Sequence, residues 1–270
     1  MVRIMLRLRS LNRFRAFGLH LLASAAVALL SAALVFLLWY PGLLAFASGV
    51  ATIFLILLAV DVTLGPVITL IIFNPKKKEL KRDLVIVVVI QLSALLYGLH
   101  TVFIARPVYL AFNEKRFDLV YANEVSDQNL AKAIQPEYMS LPYFGPKIIA
   151  APLPNDPKIV EEIVYGAIAG GDDVQHMPKY YVPYAEQKLA VMKQIRPLSD
   201  LKLHNKDRPQ EVDTLIKQYT DTYQDVGYLP LKAKANDLVV IVSRTTGEVL
   251  EMSKLKPWVN YVPQYVPIKR

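Results

Sequence analysis

Apolar positions fill the first hundred residues in three long runs. Residues 17–40 carry no charge, residues 43–73 contain one acid, and residues 84–104 are again uncharged. A bilayer core roughly 30 Å thick requires about 20 apolar residues in a helix. The pattern therefore predicts a membrane anchor at residues 1–104, with an N-terminal arm and three spanning helices at about 17–40, 43–73 and 84–104.

The second apolar run is longer than one span requires. At helical rise it would extend about 46 Å, so we expect a strongly tilted helix or a start that lies along the membrane interface. The first run has a competing interpretation as a signal peptide, because arginines precede it and Ala45-Phe46-Ala47 matches a small-x-small cleavage pattern. A signal core of 7 to 15 residues is shorter than this run, and two more apolar segments follow, which favours a span.

The pattern changes after Ile104 to that of a water-facing domain covering residues 105–270. We predict mixed α and β structure, in an order compatible with a thioredoxin-like core that lacks the redox cysteines. The proline-rich tail at 257–270 is expected to pack on this domain or to offer a strip to a partner. Strands are predicted at 108–112, 117–121, 147–150, 237–242 and 249–252, and helices at 126–134, 157–169, 183–195 and 211–223.

The net charge of +8 is concentrated beside the apolar helices. Residues 1–104 contain ten basic and three acidic residues, whereas residues 105–270 contain 21 and 20. A nucleic-acid partner is therefore not expected. Arginines precede the first span and Lys76-Lys77-Lys78 precede the third, so the positive-inside rule predicts a cytoplasmic N-terminus and an exported, periplasmic C-terminal domain.

One acid, Asp61, lies inside an apolar span. A carboxylate at this depth is costly unless it is paired or hydrated. Gly65 and Pro66 follow one turn later, and the proline should kink the helix, with Thr63 and Thr69 bonding the freed carbonyls. We interpret Asp61, Thr63, Gly65 and Pro66 as a candidate partner-binding notch, and the alternative is a structural kink with Asp61 bonded to the neighbouring span.

The sequence offers little else for chemistry. It has no cysteine, which excludes disulfides and thiolate catalysis, and its four histidines have no short ligand spacing. Gly170-Gly171-Asp172-Asp173 is interpreted as a turn. We predict no catalytic residues, cofactor or metal, and hence no enzyme activity.

Several strings occur in the order found in one family. Phe36-Leu37-Leu38-Trp39-Tyr40-Pro41-Gly42, residues 61–70 starting Asp61-Val62-Thr63-Leu64-Gly65-Pro66, Asn74-Pro75-Lys76-Lys77 and Ala105-Arg106-Pro107-Val108-Tyr109 resemble the type IV pilin accessory proteins of Gram-negative bacteria, the TfpX/TfpZ family. The likeness covers most of the chain and is sharpest from Phe14 to Val120.

The resemblance implies a chaperone-like accessory protein of the inner membrane that serves a cognate type IV pilin. Such a protein would bind the membrane-embedded pilin and promote its stability or its assembly into pili, alone or with other pilus assembly proteins. The alternatives are a membrane-tethered enzyme that modifies pilin or lipid, and a periplasmic sensor. A sensor is disfavoured because the predicted cytoplasmic parts are only an arm and a short loop.

Overall fold

A computed structural model describes residues 12–222 and 225–258 of the chain. Its contacts divide the molecule into two compact units. The first unit runs through Pro107 and also includes Tyr121–Asn123 and Tyr143–Gly145, and the second contains Val108–Val120, Glu124–Pro142 and the chain from Pro146 onward. Most of the predicted tail at 257–270 lies outside the described residues.

The first unit is a bundle of apolar helices. Among the described residues, three of its helices are long and apolar enough to cross a membrane, which confirms the three predicted apolar helices. We call Arg13–Trp39 span 1, α3 span 2 and α4 span 3. The helices are α1 Arg13–Ala33, continued by a π-helical turn Leu34–Trp39, then α2 Leu44–Ser48, α3 Val50–Ile72 and α4 Leu80–Ile104.

A single glycine explains why the second apolar run is longer than one span requires. Gly49 adopts a left-handed conformation with φ of 73°, which is sterically unfavourable for residues with a Cβ. The run is therefore divided into the short helix α2 and span 2, rather than forming one long tilted helix. Span 2 has 23 residues, or about 35 Å, which matches one crossing.

Span 2 packs against both other spans. At one end of the bundle, buried side chains of all three spans form a cluster that includes Val35, Phe54 and Val102. The hydroxyl of the buried Tyr40 donates to the main-chain carbonyl of Val102 at 2.9 Å. The end of span 1 and the end of span 3 thus lie on the same side, as three alternating crossings require.

The second unit is a soluble α+β domain built on one mixed seven-stranded sheet with strand order β4-β3-β1-β2-β5-β6-β7. The pairs β1–β3 and β2–β5 are parallel, whereas β3–β4, β5–β6 and β6–β7 are antiparallel. The strands are β1 Pro107–Asn113, β2 Arg116–Tyr121, β3 Lys147–Ala150, β4 Val182–Pro183, β5 Val226–Lys232, β6 Leu238–Ser243 and β7 Val249–Ser253.

In the part of the chain that the structure describes, five α-helices accompany the sheet, and side-chain caps explain where two of them begin. Ser126 accepts from the amide of Asn129 at the start of α5, and Asp156 accepts from the amide of Lys158 at the start of α6, which satisfies amides that a helix leaves free. The helices are α5 Asp127–Leu130, α6 Pro157–Ile168, α7 Lys188–Gln194, α8 Leu201–His204 and α9 Pro209–Asp221.

The predicted α+β class is confirmed, with several local differences. The helix expected at 126–134 is shorter, because α5 ends at Leu130. The expected helix at 183–195 is divided, because Pro183 pairs with Ile149 in the sheet and the helix α7 begins only at Lys188. Strand β5 was not predicted, since Pro230 interrupts the usual strand composition, yet it pairs with Val239 of β6. The thioredoxin-like core stays a prediction.

Among the described residues of this domain, one acid is buried. The carboxylate of Asp118 on β2 lies 3.1 Å from the guanidinium of Arg116 and is only 5% exposed. Burial raises the pKa of the Asp118 carboxyl, and the positive charge of Arg116 opposes that shift. The pair is part of the packing of the sheet.

Candidate functional site

Polar side chains from all three spans meet between the helices. Ser24 and Asp61 lie near the middle of spans 1 and 2, and Gln91 lies near the middle of span 3. His20 and Thr69 lie one to two turns away, closer to the start of span 1 and the end of span 2. We call these five residues the polar cluster.

Hydrogen bonds join the polar cluster into one chain. The side-chain amide of Gln91 donates to Ser24 Oγ at 3.0 Å and to the main-chain carbonyl of Asp61 at 2.8 Å. Its Oε1 is left to accept, and it lies 3.1 Å from His20 Nε2. The other ring nitrogen of His20 lies 2.7 Å from Thr69 Oγ1.

These contacts select one tautomer of a neutral His20 ring. Because Gln91 Oε1 can only accept, His20 Nε2 donates, and in a neutral imidazole Nδ1 then accepts from the Thr69 hydroxyl. The side chains of His20, Ser24, Thr69 and Gln91 thus each have a hydrogen-bond partner, as burial in a low-dielectric medium demands, whereas Asp61 joins this chain of bonds through its main-chain carbonyl. The polar cluster links span 1 to span 3 and both of them to span 2.

Gly65 provides the space that Gln91 occupies. A Cβ atom at Gly65 would lie 1.9 Å from Gln91 Oε1 and 2.8 Å from Gln91 Nε2. A close approach of helices at a small residue is a common way of packing inside membranes. The glycine of the predicted notch thus has a packing role, which is to admit the side chain that organises the polar cluster.

A cavity of about 240 Å³ opens beside the polar cluster. Most of its lining residues come from spans 1 and 3, and Asp61 is the lining residue from span 2. The surface inside is mainly apolar. The lining residues are His20, Ala23, Ser24, Val27, Asp61, Val88, Gln91 and Leu92. We call this feature the intramembrane groove.

The residues predicted from sequence have different places in the structure. Asp61 lines the groove, Gly65 contacts Gln91, and Pro66 is buried within span 2. Thr63 lies outside the groove: it is exposed and donates to the carbonyl of Ala59 at 2.8 Å.

The proposed bonding of the carbonyls freed by the proline is not found. Thr63 donates to carbonyls one turn earlier, at Ala59 and Val60, and Thr69 contacts His20. Pro66 lacks the amide that would bond the carbonyl of Val62, yet the helix assignment continues through it. The prediction that Thr63 and Thr69 bond the freed carbonyls was wrong, because a serine or threonine hydroxyl in a helix usually bonds the carbonyl three or four residues before it.

Sequence reasoning missed His20 and Ser24 as members of the site. Their spacing of four residues places them on one face of span 1, and Asp61, Gly65 and Thr69 repeat the same spacing on span 2. Polar residues at this interval in two apolar helices are typical of facing surfaces. That interval, together with the polar residue Gln91 inside the third apolar run, is the signal that would have found the site.

The soluble domain contains a smaller group of polar residues near the end of β2. Glu124 lies 3.0 Å from the ammonium of Lys234 and 3.7 Å from His176 Nε2. Asn129 donates to Asp172 at 2.7 Å and to the carbonyl of His176 at 3.2 Å. These bonds hold the predicted turn at 170–173 in place.

The fold and the groove define a class: a membrane protein with three apolar helices, a polar groove between them and a soluble α+β domain. Comparison with known proteins gives the family. A family model described as fimbrial assembly protein FimB matches residues 8–42. No solved structure matches the chain significantly.

Relatives that match over most of their length extend this result. The chain is 33% identical over 220 residues to the fimbrial assembly protein of serogroup I of Dichelobacter nodosus, covering 79% of this chain and 84% of the relative. It is 32% identical over 218 residues to the protein of serogroup E1 from the same organism, with the same coverage. The chain therefore belongs to the fimbrial assembly protein family, which supports a role in pilus assembly.

Proposed function

We propose that this protein is an accessory factor of the TfpX/TfpZ type that binds a cognate type IV pilin within the inner membrane and promotes its stability or its assembly into pili. The observation that carries the proposal is the intramembrane groove, in which Asp61 and Gln91 of neighbouring spans lie between apolar walls. Membership of the fimbrial assembly family supports a partner among pilus components.

The groove has the properties expected of a binding site for a partner helix. Apolar surfaces alone do not drive helices together in lipid, because lipid tails are equally apolar. Close packing and hydrogen bonds do drive helices together. The groove, which lies between Val27 of span 1 and Leu92 of span 3, offers a partner helix both. Its volume of about 240 Å³ holds a few side chains, so the groove would take one face of a helix.

The distribution of charge supports an orientation. Arg13 and Arg15 begin span 1, and Lys76-Lys77-Lys78 follow span 2. By the positive-inside rule these ends are cytoplasmic, and the domain after span 3 is exported. A pilin anchored in the same membrane would then present its soluble part on the same side as this domain, so both parts of the pilin are available for binding.

We also propose that the protein acts by binding and without catalysis. The buried acid Asp118 is paired with Arg116, and Glu124 is paired with Lys234. Ion pairs of this kind hold loops and strands in place, whereas a catalytic acid or base requires access to a substrate. Neutral substitution of Glu124 and His176 should leave piliation unchanged.

The test is photocrosslinking in cells that express the cognate pilin. A photoreactive residue at Val88, which lines the groove, should crosslink to pilin, whereas one at Ile56, on the exposed side of span 2, should not. When Asp61→Leu is added to the variant that carries the photoreactive residue at Val88, it removes the carboxyl group that lines the groove. We expect about a tenfold lower crosslinking yield, the equivalent of losing one charge-assisted hydrogen bond.

Thr63→Leu is the matched control, because Thr63 lies two residues away on the exposed face and bonds only carbonyls of its own helix. It should change neither the crosslinking yield nor the number of pili. Equal capture of pilin by the Asp61→Leu and Thr63→Leu proteins, at equal protein levels, would rule out the groove as the binding site.

A further inference from the structure

A short loop of the chain far from the spans in sequence belongs to the membrane unit. Tyr143–Gly145 is grouped by its contacts with the helical bundle, although the residues on both sides belong to the soluble domain. The amide of Gly145 donates to the carbonyl of Leu38 at 2.8 Å. Leu38 lies in the last turn of span 1, so the loop is fastened at the end of a membrane-spanning helix.

Aromatic contacts fix the same loop to span 3. The ring of Tyr143 stacks on Phe103 with centroids 6.3 Å apart, and Phe103 in turn contacts Trp39 at 5.0 Å. The guanidinium of Arg106 lies 3.9 Å above the Phe103 ring. Aromatic rings beside an arginine at the end of a span are typical of the membrane–water interface.

The loop exposes large aromatic side chains near the ends of spans 1 and 3. Tyr143 is 69% exposed and Phe144 is 63% exposed. Residues 139–146, Met-Ser-Leu-Pro-Tyr-Phe-Gly-Pro, contain no charged side chain. Gly145 has a φ of 53°, which turns the chain sharply and leaves the two rings at the tip of the loop.

We propose that the 143–145 loop is a membrane-interface anchor, in which Tyr143 and Phe144 insert into the headgroup region of the lipid bilayer. The argument for lipid as the occupant is continuity: the loop is bonded to the ends of spans 1 and 3, which lipid surrounds. Exposed aromatic rings gain free energy by leaving water for this region. The anchor gives the membrane unit a contact with lipid beyond its three spans.

The chain contains no cysteine, so single cysteines can be labelled without altering other positions. We would attach an environment-sensitive NBD fluorophore at Phe144→Cys and reconstitute the full chain, without pilin, in vesicles of phosphatidylethanolamine and phosphatidylglycerol. Two reference positions bracket the result: Leu96→Cys on the exposed face of span 3, and Lys217→Cys on the polar face of α9.

The label at 144 should show blue-shifted emission and should be quenched most by nitroxides placed near the lipid headgroups. The label at 96 should be quenched most by nitroxides deep in the acyl chains, and the label at 217 by neither. Emission and quenching at 144 equal to those at 217 would overturn the proposal. So would a label at 144 that leaves water only when pilin is added, because that result assigns the loop to protein binding. Neither outcome depends on the intramembrane groove.

Discussion

Gly65→Ala should destabilise the membrane bundle by about 2 kcal/mol. The new Cβ would occupy the position of Gln91 Oε1, 1.9 Å away. The end of a glutamine side chain can move aside at little steric cost, so the loss comes from its hydrogen bonds to His20, Ser24 and Asp61. Interhelical hydrogen bonds in membranes contribute about 0.6 kcal/mol each. The measurement is the denaturation midpoint in mixed detergent micelles.

A double-mutant cycle separates this mechanism from general disruption. Gln91→Ala alone loses the same bonds and should cost about the same 2 kcal/mol. Once Gln91 is absent, the methyl group at Gly65 meets no obstacle, so the double variant should be no less stable than either single variant. The coupling energy is then about 2 kcal/mol in magnitude, far from additivity.

Gly18→Ala is the matched control, since a Cβ at this glycine of span 1 has no atom within 4 Å. It should leave the midpoint unchanged or raise it slightly through the higher helix propensity of alanine. Additive losses in the Gly65 and Gln91 cycle would show that the close approach of these two residues is not what holds the spans together.

The membrane anchor was predictable because lipid imposes a simple rule. A spanning segment must bond its own backbone and present apolar side chains, so three apolar runs specify three helices almost without tertiary information. The end of α2 was harder to place. An isolated glycine in an apolar run predicts either a helix interior or a break, and only the observed φ of Gly49 decides between them.

The candidate site was predictable in part. A charged side chain inside an apolar run is rare enough to mark Asp61 from sequence alone. Its partners His20 and Gln91 lie 41 and 30 residues away, and which faces of three helices meet depends on packing that no single helix determines. The same limit explains the 143–145 loop, whose contacts with span 1 join residues about a hundred positions apart in the sequence.

Asn205→Leu should destabilise the soluble domain locally by about 3 kcal/mol. Asn205 is completely buried. It accepts from the amide of Lys256 at 2.8 Å and donates to the carbonyls of Lys256 and Leu201 at 3.0 and 2.9 Å. Leucine has a similar size but bonds neither group of Lys256, and each buried main-chain group left unpaired costs about 1 to 3 kcal/mol.

Hydrogen–deuterium exchange of the full chain in detergent micelles measures this loss of local stability at the affected segment. A cost of about 3 kcal/mol corresponds to about a hundredfold faster exchange in a peptide that covers Leu255 and Lys256. Peptides from β1 and β2 serve as an internal reference and should change little. The matched substitution Asn155→Leu, at an exposed asparagine, should leave exchange at Lys256 unaltered. Asn205, the residue that follows α8, thus holds the segment after β7 in place, because its side-chain oxygen and nitrogen bond the main-chain amide and carbonyl of Lys256, 51 residues away. No sequence pattern had singled out this residue.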